Sequence, residues 1–437
     1  MNPDIPSRSH ALLKRRLGLV GAAMMGLGAM VGTGVFVGIG MAAGIAGPSV
    51  IPATVVAAAV AVCNGLSSAQ LAASHPVSGG TYEYGYKYLH PSLGFTAGWM
   101  FLLAKSASAA TAALGFGGYL LHVLGWSHPG AVKLLGVAVS IVLTLLVLGG
   151  LKRSNLANIF IVSVTLLALA AFAMLAVPVA WDRMEANLLP FFPGGRESVA
   201  PFLQACALMF VAYTGYGRIA TMGEEVLDPR RIIPRAIVMV MAASALLYVT
   251  VGFGAVGAIG AAALGAATGE QAAPLETVLQ ALGHPAAAKA LALGAMTAML
   301  GVVLNLLLGL SRVALAMGRR NDLPPAFARI DRSGGTPVVA VFAVGVLVTA
   351  LAAIGDVKLT WSFSAFTVLV YYAITNLAAL RLRGSDCLYP RFVAVLGIFS
   401  CLFLAFWVEP AVWMAGLGTI LAGLLWHFAR RQMTHEG

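Results

Sequence analysis

The sequence predicts an all-α membrane protein with twelve transmembrane helices, arranged as two inverted five-helix repeats and two C-terminal helices. Hydrophobic residues occupy 60% of the 437 positions and charged residues only 10%. The mean hydropathy of +0.90 lies far above the range of soluble domains. Apolar runs long enough to cross a bilayer recur along the whole chain. We therefore expect residues 1–437 to form one transmembrane domain in a lipid bilayer.

A transmembrane helix needs about 20 apolar residues, and twelve stretches meet or approach this length. They lie near 17–44, 48–72, 92–121, 131–149, 155–180, 199–221, 233–258, 286–317, 337–354, 359–381, 390–407 and 410–428. The halves 17–180 and 199–381 hold five spans each. Because five is odd, the second half enters the bilayer from the side opposite to the first, which predicts an inverted repeat. The extra helices lie within 390–428.

The distribution of Lys and Arg predicts the orientation. If both termini are cytoplasmic, 21 of the 27 basic residues lie on the inner side, 5 on the outer side and Lys105 within a span. Cytoplasmic connections are enriched in Lys and Arg. We therefore expect cytoplasmic termini and a location in the cell inner membrane. The long connection 259–285 then lies outside, and its helix-like segment Pro274–Gln280 is a candidate lid.

The composition also argues against several kinds of site. The net charge of +11 suggests a nucleic-acid partner, but the basic residues sit in short connections rather than on one face. The four cysteines are scattered and show neither a CxxC pair nor metal-ligand spacing. We expect no nucleic acid, no disulfide framework, no metal and no cofactor.

Two glycine-rich stretches, Gly28–Phe36 and Phe210–Gly217, interrupt the first and sixth spans. Glycine weakens a helix and lets the backbone leave helical geometry. Backbone groups freed at membrane depth must line a cavity or be buried in protein. Paired interruptions in corresponding halves point to a transporter's midplane binding site. The alternative is that these glycines are packing positions between helices.

These stretches resemble motifs of the amino acid, polyamine and organocation (APC) transporter superfamily. The matching segments, in order, are Gly28–Phe36, Ala69–Tyr84, Phe210–Tyr216, Asp228–Ile237, Ser311–Pro324, Thr336–Pro337 and Asn376–Arg381. The resemblance covers about residues 17–383. It implies two inverted repeats that alternate access around a site between the first and sixth helices.

The implied site recognises the two charged groups of an amino acid through the backbone. The positive end of a half-helix offers N–H donors to the carboxylate, and freed carbonyls accept from the ammonium. The expected donors are those of Val31, Gly32, Thr33 and Gly34. The expected acceptors are those of Phe210, Val211 and Tyr213. Packing against neighbours is an equal alternative for the Tyr213 side chain.

Lys105 is the one ionisable residue that the sequence places at membrane depth, near the middle of the third span. A charge there costs at least ~2.5 kcal/mol on insertion scales. Lys105 is therefore a candidate for binding the substrate and for proton coupling. Its alternative role is structural, as a cap for carbonyls exposed by the broken helices. Asn305, in the eighth span, either lines the cavity or makes an interhelical hydrogen bond.

The chain departs from its ion-coupled relatives at several positions. Several proton-coupled relatives carry a lysine in the fifth helix, where this chain has Thr165. The hydroxyl pair that helps to hold sodium in other relatives falls at Leu300 and Gly301. We therefore expect no sodium site.

Together these features predict a secondary active amino acid permease, with proton symport favoured and exchange of amino acids or polyamines as the alternative. Small or apolar neutral amino acids are the favoured substrates. An enzyme is not expected, because no acid or histidine at membrane depth is available to build a catalytic site. A transporter-like nutrient sensor and a channel are less favoured alternatives. The sensor would normally add a soluble output domain, and the channel would need a continuous polar pore lining.

Overall fold

A computed structural model describes residues 17–77, 79–126, 130–150, 155–221, 226–330 and 336–435. These residues form helices joined by short connections. No β-strand occurs among them; the only β-type pairing there is an isolated bridge between Leu17 and Val226. The all-α class predicted from the sequence is confirmed.

The first nine helices run from the N-terminal region to the second helix break. They are α1 Leu19–Met30, α2 Ile39–Ala46, α3 Val50–Ser74, α4 Thr81–Tyr88, α5 Pro91–Leu124, α6 Ala131–Leu148, α7 Asn155–Asp182, α8 Met184–Asn187 and α9 Val199–Tyr213. The remaining helices are α10 Gly217–Ala220, α11 Pro229–Ile259, α12 Ala261–Gln271, α13 Pro274–Ala281, α14 Pro285–Arg319, α15 Val338–Ile354, α16 Val357–Ala379, α17 Arg391–Ala405 and α18 Pro410–His435. Each predicted span coincides with a helix or with a broken helix.

Nine helical stretches within the described ranges are long and apolar enough to cross a membrane. One of them, Leu19–Ser74, has 56 residues and contains α1, α2 and α3. Helices α15 and α17 are apolar but shorter, with 17 and 15 residues. A multi-pass membrane protein is thus confirmed, whereas the count of twelve spans and the two inverted repeats stay predictions.

Helices α5 and α16 form the centre of the bundle. In an 18-residue apolar segment of each, 72% and 83% of the residues are buried, against 22% in the corresponding segments of α6 and α18. Helix α5 packs along both α14 and α16. The outward faces of α6 and α18 carry exposed leucines, which suits helices that contact lipid.

Two short helices, α12 and α13, cover one end of the bundle, and we call them the lid. The predicted helical segment 274–280 lies in α13, whereas the sequence did not predict α12. Helix α12 packs on α2, where a Cβ atom added to Gly265 would overlap the backbone of Gly44. The lid therefore approaches α2 to backbone contact because both facing residues are glycines.

The opposite end of the bundle is tied together by the buried carboxylate of Asp322, in the turn after α14. The Tyr82 and Tyr86 hydroxyls of α4 lie 2.7 and 2.6 Å from Asp322 Oδ2. His427 Nδ1 of α18 lies 3.0 Å from Asp322 Oδ1, and Trp426 Nε1 donates to the Asp322 carbonyl at 2.8 Å. One side chain thus joins α4, α14 and the last helix.

We predict that Asp322→Asn lowers the thermal stability of the detergent-purified protein. An amide cannot accept all these hydrogen bonds, and an unsatisfied buried polar group costs about 1–3 kcal/mol. The matched control is Asp386→Asn, because the Asp386 side chain is 40% exposed and pairs with the exposed Arg230. Exposed pairs contribute only about 0–1 kcal/mol. Equal melting temperatures for the two variants would contradict this account.

Candidate substrate site

The first helix break lies between α1 and a π helix that spans Gly34–Gly38. Helix α1 ends at Met30, and Val31 adopts an extended conformation with φ −80° and ψ 93°. The N–H of Val31 still donates to the Leu27 carbonyl at 2.7 Å. Within the described part of the chain, no hydrogen-bond acceptor is found for the N–H groups of Gly32, Thr33 and Gly34.

The second break follows α9, where the chain makes a 3₁₀ turn over Thr214–Tyr216 before α10. The N–H of Thr214 donates to the Val211 carbonyl, and so does its hydroxyl, at 2.7 Å. The carbonyl of Val211, one of the three expected acceptors, is therefore occupied in this structure. Phe210 and Tyr213 are buried beside it.

The two breaks touch each other, and glycine makes this approach possible. A Cβ atom on Gly34 would overlap Ala212, and one on Gly215 would overlap the Ala29 carbonyl. A Cβ on Gly32 would lie 2.7 Å from a methyl group of Val302 on α14. The glycines are therefore packing positions as well as residues of a helix break, so the two interpretations of these residues are compatible.

Tyr248 of α11 links the two breaks. Its hydroxyl lies 2.6 Å from the Met30 carbonyl and 3.2 Å from the Ala212 carbonyl, and the residue is fully buried. A hydroxyl in this place satisfies carbonyls that the broken helices leave without helical partners. Tyr248 was not among the residues predicted from the sequence. Its only signal in the sequence was a hydroxyl-bearing side chain within the seventh apolar span.

Lys105 of α5 reaches the second break through a threonine. Its Nζ atom donates to Thr214 Oγ1 at 2.7 Å, and that hydroxyl donates to the Val211 carbonyl at 2.7 Å. The ammonium thus caps a carbonyl of the break indirectly, as the structural alternative requires. The same contact holds Lys105 at the edge of the candidate site, as the functional roles require. The sequence did not single out Thr214 as the partner.

Aromatic side chains of α16 enclose the site from another direction. The Tyr372 hydroxyl donates to the Thr214 carbonyl at 3.2 Å, and Trp361 Nε1 donates to the Leu208 carbonyl at 3.0 Å. The ring of Phe210 meets that of Tyr372 edge to face, with centroids 5.7 Å apart. These contacts use the carbonyl end of α9 and close this side with apolar surface.

The remaining expected site residues have different surroundings. The Tyr213 hydroxyl donates to the Thr54 carbonyl of α3 at 3.2 Å, so this side chain packs between helices. The Thr33 hydroxyl is buried and finds no hydrogen-bond partner among the described residues. Asn305 is half-buried on α14. Thr33 is thus a buried polar group that calls for a further partner.

A row of hydroxyl pairs joins α5 to α16 beyond Lys105. Ser108 and Ser364 lie 2.8 Å apart, and Thr111 donates to Thr360 at 2.8 Å. Sequence reasoning missed these pairs because the partners are about 250 residues apart in the chain. They fix the face of α5 that carries Lys105 against the central helix α16.

Comparison with known proteins agrees with this architecture. Residues 21–434 match the family model described as amino acid permease. An uncharacterized transporter of Mycobacterium tuberculosis is 38% identical, over 99% of this chain and 94% of the relative. The branched-chain amino acid permease of Bacillus subtilis is 29% identical, over 95% and 93% of the two chains. A methylthioribose transporter of the same organism is 27% identical, over 88% and 86%.

The family model covers nearly the whole chain, including both helix breaks and Lys105. The relatives named here are all transporters, and none of their names describes an enzyme. The protein is therefore a membrane transporter rather than an enzyme, and it belongs to the amino acid permease family.

Proposed function

We propose that this protein is a secondary active amino acid transporter that works by alternating access, with proton symport as its mode of coupling. The observation that carries the proposal is the contact between two broken helices. One of them has N–H donors without an acceptor among the described residues, and the other presents the carbonyl end of α9. An α-amino acid carries the complementary pair of charges, a carboxylate and an ammonium. Backbone recognition of this kind suits any amino acid.

In this proposal the N–H groups of Gly32, Thr33 and Gly34 bind the substrate carboxylate. They lie at the N-terminal end of the π helix that leads into α2, where the helix dipole favours an anion. The buried Thr33 hydroxyl without a partner in the described residues supports a ligand at this place. Carbonyls at the end of α9, those of Phe210 and Tyr213 first, accept from the ammonium.

Alternating access is proposed because the site is closed in this structure. Val31, Thr33, Phe210 and Tyr213 are at most 4% exposed, so a substrate enters only if the surrounding helices move. The breaks occur at corresponding places in the proposed repeats 17–180 and 199–381, which supports two inverted repeats. We also propose cytoplasmic termini in the cell inner membrane, with the lid outside.

Lys105 is the proposed proton carrier. The residue is 8% exposed, and its Nζ atom donates to the neutral Thr214 hydroxyl. The described residues provide it with no carboxylate partner. Since a buried charge without a counter-charge is costly, loss of the proton removes that cost, and a change in hydration during the cycle moves the proton on or off.

Small or apolar neutral amino acids are the proposed substrates. The side chains of Val302, Phe210 and Tyr372 give the site apolar walls. Lys105 disfavours a cationic substrate. A relative named as a branched-chain amino acid permease supports the same class. The test is uptake of each of the twenty amino acids into proteoliposomes, with and without a pH gradient; no uptake of any of them would overturn the proposal.

We predict that Gly34→Val and Gly32→Val reduce uptake to background while the protein still inserts into the membrane. The new side chains would meet Ala212 and Val302 and would fill the carboxylate site. The matched control is Gly418→Val in α18, because a Cβ there meets no atom within 4 Å. Normal uptake by both site variants would refute the assignment.

We expect transport to continue when sodium is replaced by choline. The positions that hold a sodium-binding hydroxyl pair in other relatives are Leu300 and Gly301 here, and neither side chain carries an oxygen. Initial uptake rates in sodium-loaded and choline-loaded media, at fixed pH, provide the measurement. A strict sodium requirement would contradict the assignment.

Replacing Lys105 separates the proposed coupling from its alternatives. If Lys105 carries the proton, Lys105→Ala still exchanges substrate across the membrane but loses accumulation driven by a pH gradient. If its ammonium binds the substrate carboxylate, exchange fails too. The control is Lys133→Ala, since Lys133 is exposed on α6. Unchanged affinity, exchange and accumulation in Lys105→Ala would leave only the structural role, and gradient-insensitive exchange in the unaltered protein would favour an exchanger.

A further inference from the structure

The lid contains a buried acid that the proposed transport mechanism does not use. Glu276 of α13 is 0% exposed. Its Oε1 atom lies 3.5 Å from Gln280 Nε2 and 4.0 Å from His122 Nε2 of α5. Its Oε2 atom has no hydrogen-bond partner among the described residues. An ionised carboxylate in this position lacks the hydrogen bonds that normally offset the loss of water.

The groups that face Glu276 do not provide a close counter-charge. From α5 it is faced by His122 and by the phenol of Tyr119, and from α14 by Lys289. Lys289 is exposed, so solvent weakens its effect on the carboxylate. Burial raises the pKa of the Glu276 carboxyl to about 7, and the positive charge of Lys289 opposes the rise.

This acid lies where the lid meets the broken first helix. Helix α13 packs against the π helix Gly34–Gly38 and against α14. One turn before His122, the Tyr119 hydroxyl donates to the Phe36 carbonyl of the π helix at 3.0 Å. The same segment of α5 therefore contacts both the lid acid and the helix that forms the carboxylate site.

Water can approach the pair from one side. A cavity of about 1110 Å³ lies next to the lid, and His122 lines it together with Gly44, Gly265 and Thr268. The latter three residues belong to the contact between α12 and α2. His122 thus stands between Glu276 and a cavity that reaches the edge of the lid.

We propose that Glu276, with His122 as its route to the cavity, is a proton-operated latch on the lid: a protonated Glu276 keeps α12 and α13 seated on the bundle, and loss of its proton lets them lift. The inference rests on the proposed role of α12 and α13 as a lid. It is independent of proton coupling at Lys105.

The direction of the pH effect follows from linkage. The pKa of Glu276 is raised in the closed state from an ordinary value near 4.5 that the carboxyl regains when the lid lifts into water. Protonation therefore stabilises the closed state, and this stabilisation fades as the pH rises through about 7. Between about pH 5.5 and about pH 8.5 the equilibrium constant for lid closure should fall about 30-fold.

The test measures lid opening directly, without substrate. A cysteine replaces Val278, which is fully buried on α13, and a membrane-impermeant maleimide is added outside cells that express the full chain. The rate is divided by that of a cysteine at Ala263, exposed on α12, to remove the pH dependence of thiol ionisation. Protein with only its natural cysteines gives the background.

We expect this ratio to rise with pH over that range and to be low and flat in Glu276→Gln, which mimics the protonated acid. Glu276→Asp should keep a pH dependence. Lys289→Gln should move the rise to higher pH, because a positive charge that favours the carboxylate is lost. The control Glu185→Gln removes an exposed acid of α8 and should change nothing.

A flat ratio with Glu276 present would overturn the latch, and so would an unaltered pH dependence in Glu276→Gln. If Glu276→Gln is not produced, the pH dependence of the labelling ratio in Lys289→Gln decides between the two roles. A purely structural Glu276 would give no shift of this pH dependence. Because labelling needs no transport, the latch can fail while proton symport stands, and symport can fail while the latch stands.

Discussion

The structure depends on one constraint, that backbone N–H and C=O groups released from a helix inside a membrane need other partners. Two breaks, one after α1 and one after α9, release several such groups at once. Tyr248, Tyr372 and Trp361 bring side-chain donors to the freed or end carbonyls, and Thr214 does so from within the break. The N–H groups of Gly32, Thr33 and Gly34 in the first break have no acceptor in the described residues, and this imbalance is the basis of the proposed carboxylate site.

The parts of the fold that the sequence predicted are those set by local composition. Apolar runs located the spans, glycines located both breaks, and the lone charge in an apolar helix marked Lys105. The lid helix α13 was also visible, because Pro274 starts a short segment with helical residues. Each of these features depends on neighbours in the chain, which a single sequence contains.

The parts that could not be predicted are contacts between residues far apart in the chain. Tyr248 lies more than 200 positions from Met30, whose carbonyl it contacts, and Thr214 lies 109 positions from Lys105. Helix α12 was missed because its alanine-rich sequence lacks an amphipathic pattern. Glu276 was not singled out within the helix-like segment 274–280, since nothing in the chain shows that tertiary packing removes it from water.

The Asp322 cluster makes the contacts at the two ends of the bundle different in kind. At the lid end, α12 meets α2 through the backbones of Gly44 and Gly265. At the other end, a carboxylate binds two tyrosines of α4 and a histidine of α18, and each hydrogen bond to a charged group contributes about 1.5–3 kcal/mol. Because α18 lies outside the proposed repeats, we expect no inverted copy of this brace at the lid end. In the proposed cycle of alternating access, the Asp322 end would thus be the stiffer face of the bundle and the lid end the more compliant one.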